Sequence, residues 1–292
     1  MFSRIQTRYF RSLKAVDQPL GSVQALVGPN ASGKTTFLDV LGLLSDLVRN
    51  RGDVRETIQS RSASFDKLIW QGPGEDKGQR GGFQIAVEAP IPESVRARMA
   101  DDKRQFTTVR YEIEIGFDAS TNEIGLDHET LWLRASGEDQ ISVQKDMFPM
   151  VPEDAPSIFV GTSKRGFKVV MKKTPGGNDN YYTEGAKSYA PSFRLGRTKL
   201  GLAHIPADEA SFPVSSWFRD MLEKGVQNVV LNSLIIRQPS PPGLGLRFQS
   251  NGSNLPWVVA ELRRDTQRFA DWLEHVRTAL GDIEDIDSIE RD

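Results

Sequence analysis

The chain has 292 residues, 37 basic against 39 acidic groups, 38% hydrophobic and 9% aromatic residues, and no cysteine. That length is ample for a buried core and is a soft prior for about two domains, while the missing thiols exclude a disulfide scaffold, a thiolate metal site and a cysteine nucleophile. No apolar run approaches the roughly eighteen residues of a membrane span, and the N-terminus lacks the apolar core of a secretory signal, so the sequence reads as a cytoplasmic globular protein without membrane contact.

In chain order, residues 2–13 carry Phe2, Ile5, Tyr9, Phe10 and Leu13 on a partly alternating pattern and read as a strand. Residues 23–27 form a short apolar run ending at Gly28-Pro29, which suits a strand buried on both faces of a sheet. From Gly33 to about Val48, Phe37, Leu38, Leu41, Leu44 and Val48 fall at helical spacing. Residues 49–80 are polar and glycine-rich and read as a connecting loop.

The texture from 81 to about 190 is β, with strands expected at 83–89, 107–117, 129–135 and 167–172 and turns at 118–122 and 174–179. A helix is expected over 215–227 and a strand over 229–236. A long helix follows over 256–280, with Pro256 at its start and Gly281 beyond its end. Charge is uneven along this path: residues 164–199 hold nine basic groups against two acidic ones. Such a patch can be a nucleic-acid footprint or the solvated outer face of a hairpin.

The motif that carries chemistry is Gly28-Pro29-Asn30-Ala31-Ser32-Gly33-Lys34-Thr35, which fits G-x-x-x-x-G-K-[ST] between an apolar run and an amphipathic helix. Glycine lets the backbone curl so that N–H groups from about Asn30 through Ala31, Ser32, Gly33, Lys34 and Thr35 to Thr36 face a phosphate. The helix N-terminus adds its positive end. Lys34 is expected on the β- and γ-phosphates of ATP, and the Thr35 hydroxyl on Mg²⁺.

The string GPNASGKTT resembles the ABC-type ATPases of the SMC, RecF and OLD group, and Tyr9-Phe10-Arg11-Ser12-Leu13 is similar to the first strand of that group. The resemblance implies that Arg11 lies beside the nucleotide. Leu234-Ile235-Ile236-Arg237-Gln238 resembles a strand edge of SMC-like heads. By that resemblance Gln238, ahead of Gln71 and Gln84, contacts Mg²⁺ and the attacking water. Asn251-Gly252-Ser253-Asn254-Leu255 is similar to a segment of prokaryotic stand-alone ATPases found in phage-defence operons beside nuclease or toxin genes.

A full ABC-type head also needs an LSGGQ-like signature and a Walker B strand ending in Asp-Glu, and neither is recognisable here. Asp208-Glu209 follows a proline that a central strand does not tolerate. The expectation is therefore the N-terminal part of a longer or split ATPase. The expected fold is α/β: a P-loop core sheet of ABC type with an inserted antiparallel β lobe and a C-terminal helical segment. Its parts are residues 1–80 (ATPase core), 81–200 (β-rich lobe) and 201–292 (helical segment).

The function expected from the resemblance is an ATP-dependent dimerisation switch, at least a head-to-head homodimer, acting in antiphage defence with an effector or nuclease partner. A nucleotide-sensing scaffold with little turnover and a DNA-repair ATPase are the alternatives, and DNA is a possible further partner. The three histidines, His128, His204 and His275, have no metal-ligand spacing.

Overall fold

Alternating apolar residues over two long runs set the frame, in a computed structural model that describes residues 1–72, 81–136, 157–161, 165–187 and 189–290. The first elements are strands β1 (Arg4–Phe10) and β2 (Leu13–Pro19) and helices α1 (Lys34–Arg49) and α2 (Val54–Arg61). Strand β3 (Gly82–Pro90), a single turn α3 (Glu93–Arg96), β4 (Phe106–Asp118) and β5 (Glu123–Ala135) follow. Then come β6 (Phe167–Lys173), β7 (Asp179–Tyr181), β8 (Ser192–Phe193) and α4 (Pro213–Asp220).

The eight strands form one antiparallel sheet in the order β2-β1-β3-β4-β5-β6-β7-β8. Mixed α/β architecture is thus observed, with the strands of the first 80 residues and those of the β-rich middle in a single sheet. The chain divides into two compact units, Met1–Val226 and Gln227–Asp292. The second unit contains α5 (Ser233–Ile236), α6 (Leu255–Arg263) and α7 (Thr266–Ala279).

One sheet face is apolar. Ile5, Phe83, Ile85, Val87, Tyr111, Ile113 and Leu131 join Phe37, Val40, Leu43, Leu44 and Leu47 of α1 in the core. Phe218 of α4 is fully buried, its ring 5.8 Å from Tyr111 and 6.3 Å from Phe2. Each such aromatic contributes about 2–3 kcal/mol through burial.

The opposite face is charged, and the register lines it up in rows. Arg4, Glu88, Arg110 and Trp132 stand side by side across β1, β3, β4 and β5, and Gln6, Ala86, Glu112 and Thr130 form the next row. Alternating signs across neighbouring strands attract. Arg110 donates to Glu88 (2.8 Å) and Glu112 (2.7 Å), and Trp132 Nε1 donates to Glu112 (2.9 Å). Residues 157–161 lie across this face: Arg110 donates to the Ile158 carbonyl, Val160 N–H donates to Glu112, and Phe159 stacks on His128 with centroids 4.1 Å apart. Burial works against the Glu112 charge, but His128, Arg110 and the Val160 N–H outweigh it and hold the carboxyl below its ordinary range.

Five local expectations are corrected. Residues 2–13 are not one strand but most of a hairpin, because Arg11 turns the chain at φ 49° and its N–H donates to the Leu68 carbonyl. Residues 23–27 form no strand: Val23 and Val27 are 86% and 93% exposed, and among the described residues no neighbouring strand offers a ladder. Within 49–80, α2 forms instead of loop, capped by Asp53 accepting from the Glu56 N–H, and a 3-10 turn follows at Phe65–Leu68.

Residues 229–236 are not a strand either; Val230 and Leu234 are 64% and 72% exposed, and the end of the segment coils into α5. The expected long helix breaks at Arg264-Asp265, where Asp265 accepts from the Arg268 N–H and starts α7. An aspartate N-cap inside an apolar stripe restarts the helix.

Candidate functional site

Glycine and hairpin packing together shape the start of α1. Gly33 takes φ 89° and Ala31 takes φ 64°, both left-handed, and together they bend residues 28–33 into the helix. A side chain at Gly33 would also come within 2.7 Å of Leu13 Cδ2. The β1–β2 turn is fastened to the same place, with Ser12 Oγ donating to Thr36 Oγ1 at 2.9 Å. The loop rests on the hairpin on one side and is open on the other: Asn30, Ala31, Ser32 and Thr35 are exposed.

The loop has more donors than acceptors. Among the described residues, the N–H groups of Lys34, Thr35 and Thr36 donate to no acceptor, Gly33 brings no side-chain cap, and no acidic residue lies in the first turn of α1. Lys34 Nζ folds back onto the loop, donating to the carbonyls of Gly28 (2.8 Å) and Pro29 (2.6 Å) and, at 3.4 Å, to Ser32 Oγ. Uncapped N–H groups, a helix N-terminus and a lysine ammonium beside them fit a phosphate chain. The exposed Thr35 hydroxyl is the oxygen donor available to a magnesium ion beside it. The expected residues Asn30 to Thr36 are therefore brought together on one loop and helix start.

Arg11 sits at the flank of this cradle. Its guanidinium lies 3.3 Å from Asp39 Oδ2, one turn along α1 from Thr35. Arg61 of α2 pairs with both Asp39 and Asp46, passing over Gly42. Sequence reasoning missed this chain of four charges, because nothing in the spacing of Asp39, Asp46 and Arg61 marks them as neighbours. Gln238 is placed differently from expectation: it is exposed, just past α5 in the second unit, with its N–H donating to the Ile235 carbonyl at 3.0 Å, and it does not end a strand.

The weaker constellations resolve into structure. Asp208 accepts from Ser211 N–H and Oγ and from the Tyr189 hydroxyl, the Ser211 hydroxyl leading in holding it below the ordinary carboxylate range. It ties its own turn. Among the nine basic residues of 164–199, Lys173 is buried against Asp179 (2.5 Å), Arg197 pairs with Asp118 and Asp127, Lys199 pairs with Asp53 (2.7 Å), and Lys168 approaches Asp102 at 3.9 Å. Much of that local charge is matched in place. Among the described residues no cluster of histidine and acidic groups could hold a metal ion, and no helix is long and apolar enough to cross a membrane.

Comparison with known proteins meets the same region. Residues 23–150 match the family model described as AAA domain, putative AbiEii toxin, Type IV TA system. The chain is 42% identical over 60 residues to an OLD nuclease of Thermus scotoductus, covering 20% of this chain and 10% of that protein. It is 32% identical over 116 residues to the phosphate import ATP-binding protein PstB of Mycobacterium intracellulare, 38% of each chain. The chain thus spans well under half the length of these curated relatives. The matches bear out the resemblance to an ABC-type, OLD-like P-loop ATPase.

Proposed function

We propose that the chain binds ATP with Mg²⁺ at the 28–36 loop and forms the nucleotide-holding part of an ATP-hydrolysing subunit of the ABC/SMC-like kind. The observation that carries this reading is the unmatched set of N–H donors at Lys34, Thr35 and Thr36 beside the Lys34 amine. On binding, Lys34 exchanges the Gly28 and Pro29 carbonyls for phosphate oxygens, while the N–H groups of 30–36 orient the phosphate chain. The Thr35 hydroxyl would hold Mg²⁺, which would supply charge neutralisation for the phosphates.

Two heads closing around ATP make the dimerisation switch, and the setting is antiphage defence with an effector or nuclease partner. The description of the matched family as a putative toxin of a toxin–antitoxin system and the OLD nuclease likeness support that setting. A scaffold that senses nucleotide with little turnover is favoured by one observation: Asp208, the best-placed acidic candidate in the sequence, is engaged in its own turn. ATP hydrolysis and self-association measured on wild type and Lys34→Ala separate the readings. Loss of turnover in the variant supports the enzyme, loss of ATP-dependent assembly without wild-type turnover supports the scaffold, and absence of ATP binding by wild type refutes both.

A further inference from the structure

The charges around Asp39 are held unequally. Arg61 lies on two carboxylates, hydrogen-bonding Asp39 through Oδ1 and Asp46 through Oδ2. Arg11 only approaches the other oxygen of Asp39, at 3.3 Å. Neither that oxygen nor Arg11 Nε has a hydrogen-bond partner among the described residues, although both atoms are buried. Arg61 is thus fixed, and Arg11 is parked with donor capacity to spare.

Position makes the difference consequential. Arg11 reaches α1 from the hairpin turn whose next residues contact Thr36 and Gly33, the floor of the phosphate cradle. Asp39 is four residues beyond Thr35, about 6 Å along the helix axis. The Arg11 backbone is pinned by its N–H on the Leu68 carbonyl, in a left-handed conformation, so movement falls to the side chain.

We propose that Asp39 and Arg61 are positioning residues that store Arg11 beside the cradle and release it to a nucleotide phosphate. Arg11 exchanges Asp39 for a phosphate oxygen, and Arg61 keeps the partly buried Asp39 neutralised after Arg11 leaves. Without Arg61, the departure of Arg11 would strand a carboxylate with no cation beside it, and the exchange would be opposed. This inference rests on the reading of the 28–36 loop as an ATP site.

The test is calorimetric titration of ATP with Mg²⁺ into the 292-residue chain, with a thermal melt of every variant. Asp39→Asn frees Arg11 and tightens ATP by about two- to fivefold, the scale of one exposed to partly buried ion pair. In an Arg11→Gln background the same substitution changes nothing. Arg61→Gln leaves Asp39 to grip Arg11 alone and weakens ATP by a similar factor, with Arg61→Lys restoring part of the loss. The Arg61 arm stands by itself if Asp39→Asn does not fold.

Equal effects of Asp39→Asn with and without Arg11, or weaker ATP binding in proportion to lost melting temperature, mean a purely structural tie and overturn the proposal. ATP binding that depends on Lys34 but shows no Arg11–Asp39 coupling overturns this inference alone. Failure of wild type to bind ATP overturns the nucleotide reading with it.

Discussion

Two places in this molecule gather hydrogen-bond donors, and they do so to opposite ends. Around Glu112 on the charged sheet face, donors from Arg110, Trp132 and Val160 converge on one fully buried carboxylate. At the start of α1 three N–H groups donate to no acceptor among the described residues, and the Lys34 ammonium beside them rests on two carbonyls of the loop itself. The first is a closed account of charge that holds residues 157–161 to the sheet. The second is open, and an excess of donors at an exposed backbone turn is what an anionic ligand completes.

The largest effect should come from opening the closed cluster. Glu112→Ala leaves Arg110 buried with one partner fewer and should cost about 3–5 kcal/mol of stability. Chemical denaturation of the variant checks this, and a loss under about 1 kcal/mol would erase the contrast between the two places.

Glu184 sharpens the same side. It accepts from Val214 N–H (2.5 Å), Ser215 N–H and the Ser215 hydroxyl at the start of α4, and burial pushes its carboxyl up to about 7 against those donors. The unfolded chain ionises first, so the stability tied to this group is full below about pH 4.5 and declines as pH rises toward 7. Denaturation curves across that window should show the decline, up to about 3 kcal/mol, and Glu184→Gln should flatten it.

Much of this was legible in the sequence, and the parts that were not share a cause. The P-loop was readable because glycine, lysine and threonine at fixed offsets act within eight residues, and β3 to β6 were readable because their alternation is local. Residues 23–27 and 229–236 have equally strand-like composition, yet the structure leaves Val23, Val27, Val230 and Leu234 exposed and, among the described residues, pairs neither segment into the sheet. A strand is a pairing, and composition records only the willingness of one partner. Helix α2 escaped notice because Val54 and Ile58 are its only buried aliphatic residues, and the Asp53 cap signals it more clearly than any stripe. The Arg11–Asp39–Arg61–Asp46 chain joins three elements and has no linear signature at all.

On the open side the expected effects are smaller in stability and larger in binding. Lys34→Ala should change stability by no more than about 0.5 kcal/mol, since its partners are exposed carbonyls, yet weaken ATP binding by about tenfold or more. Calorimetry and a melt on the same sample check both halves. The smallest effect belongs to Val23→Thr with Val27→Thr, which should leave stability within about 0.5 kcal/mol because both side chains already face water. A larger loss in the melt would show that this segment is packed after all.

The most direct test of the open site is backbone amide hydrogen exchange, followed residue by residue with and without ATP and Mg²⁺. On ATP addition the amides of Asn30 to Thr36 should gain protection while those of β4 and β5 stay unchanged. ATP that leaves residues 30–36 exchanging at their free rate, or protects the sheet and not the loop, would contradict it.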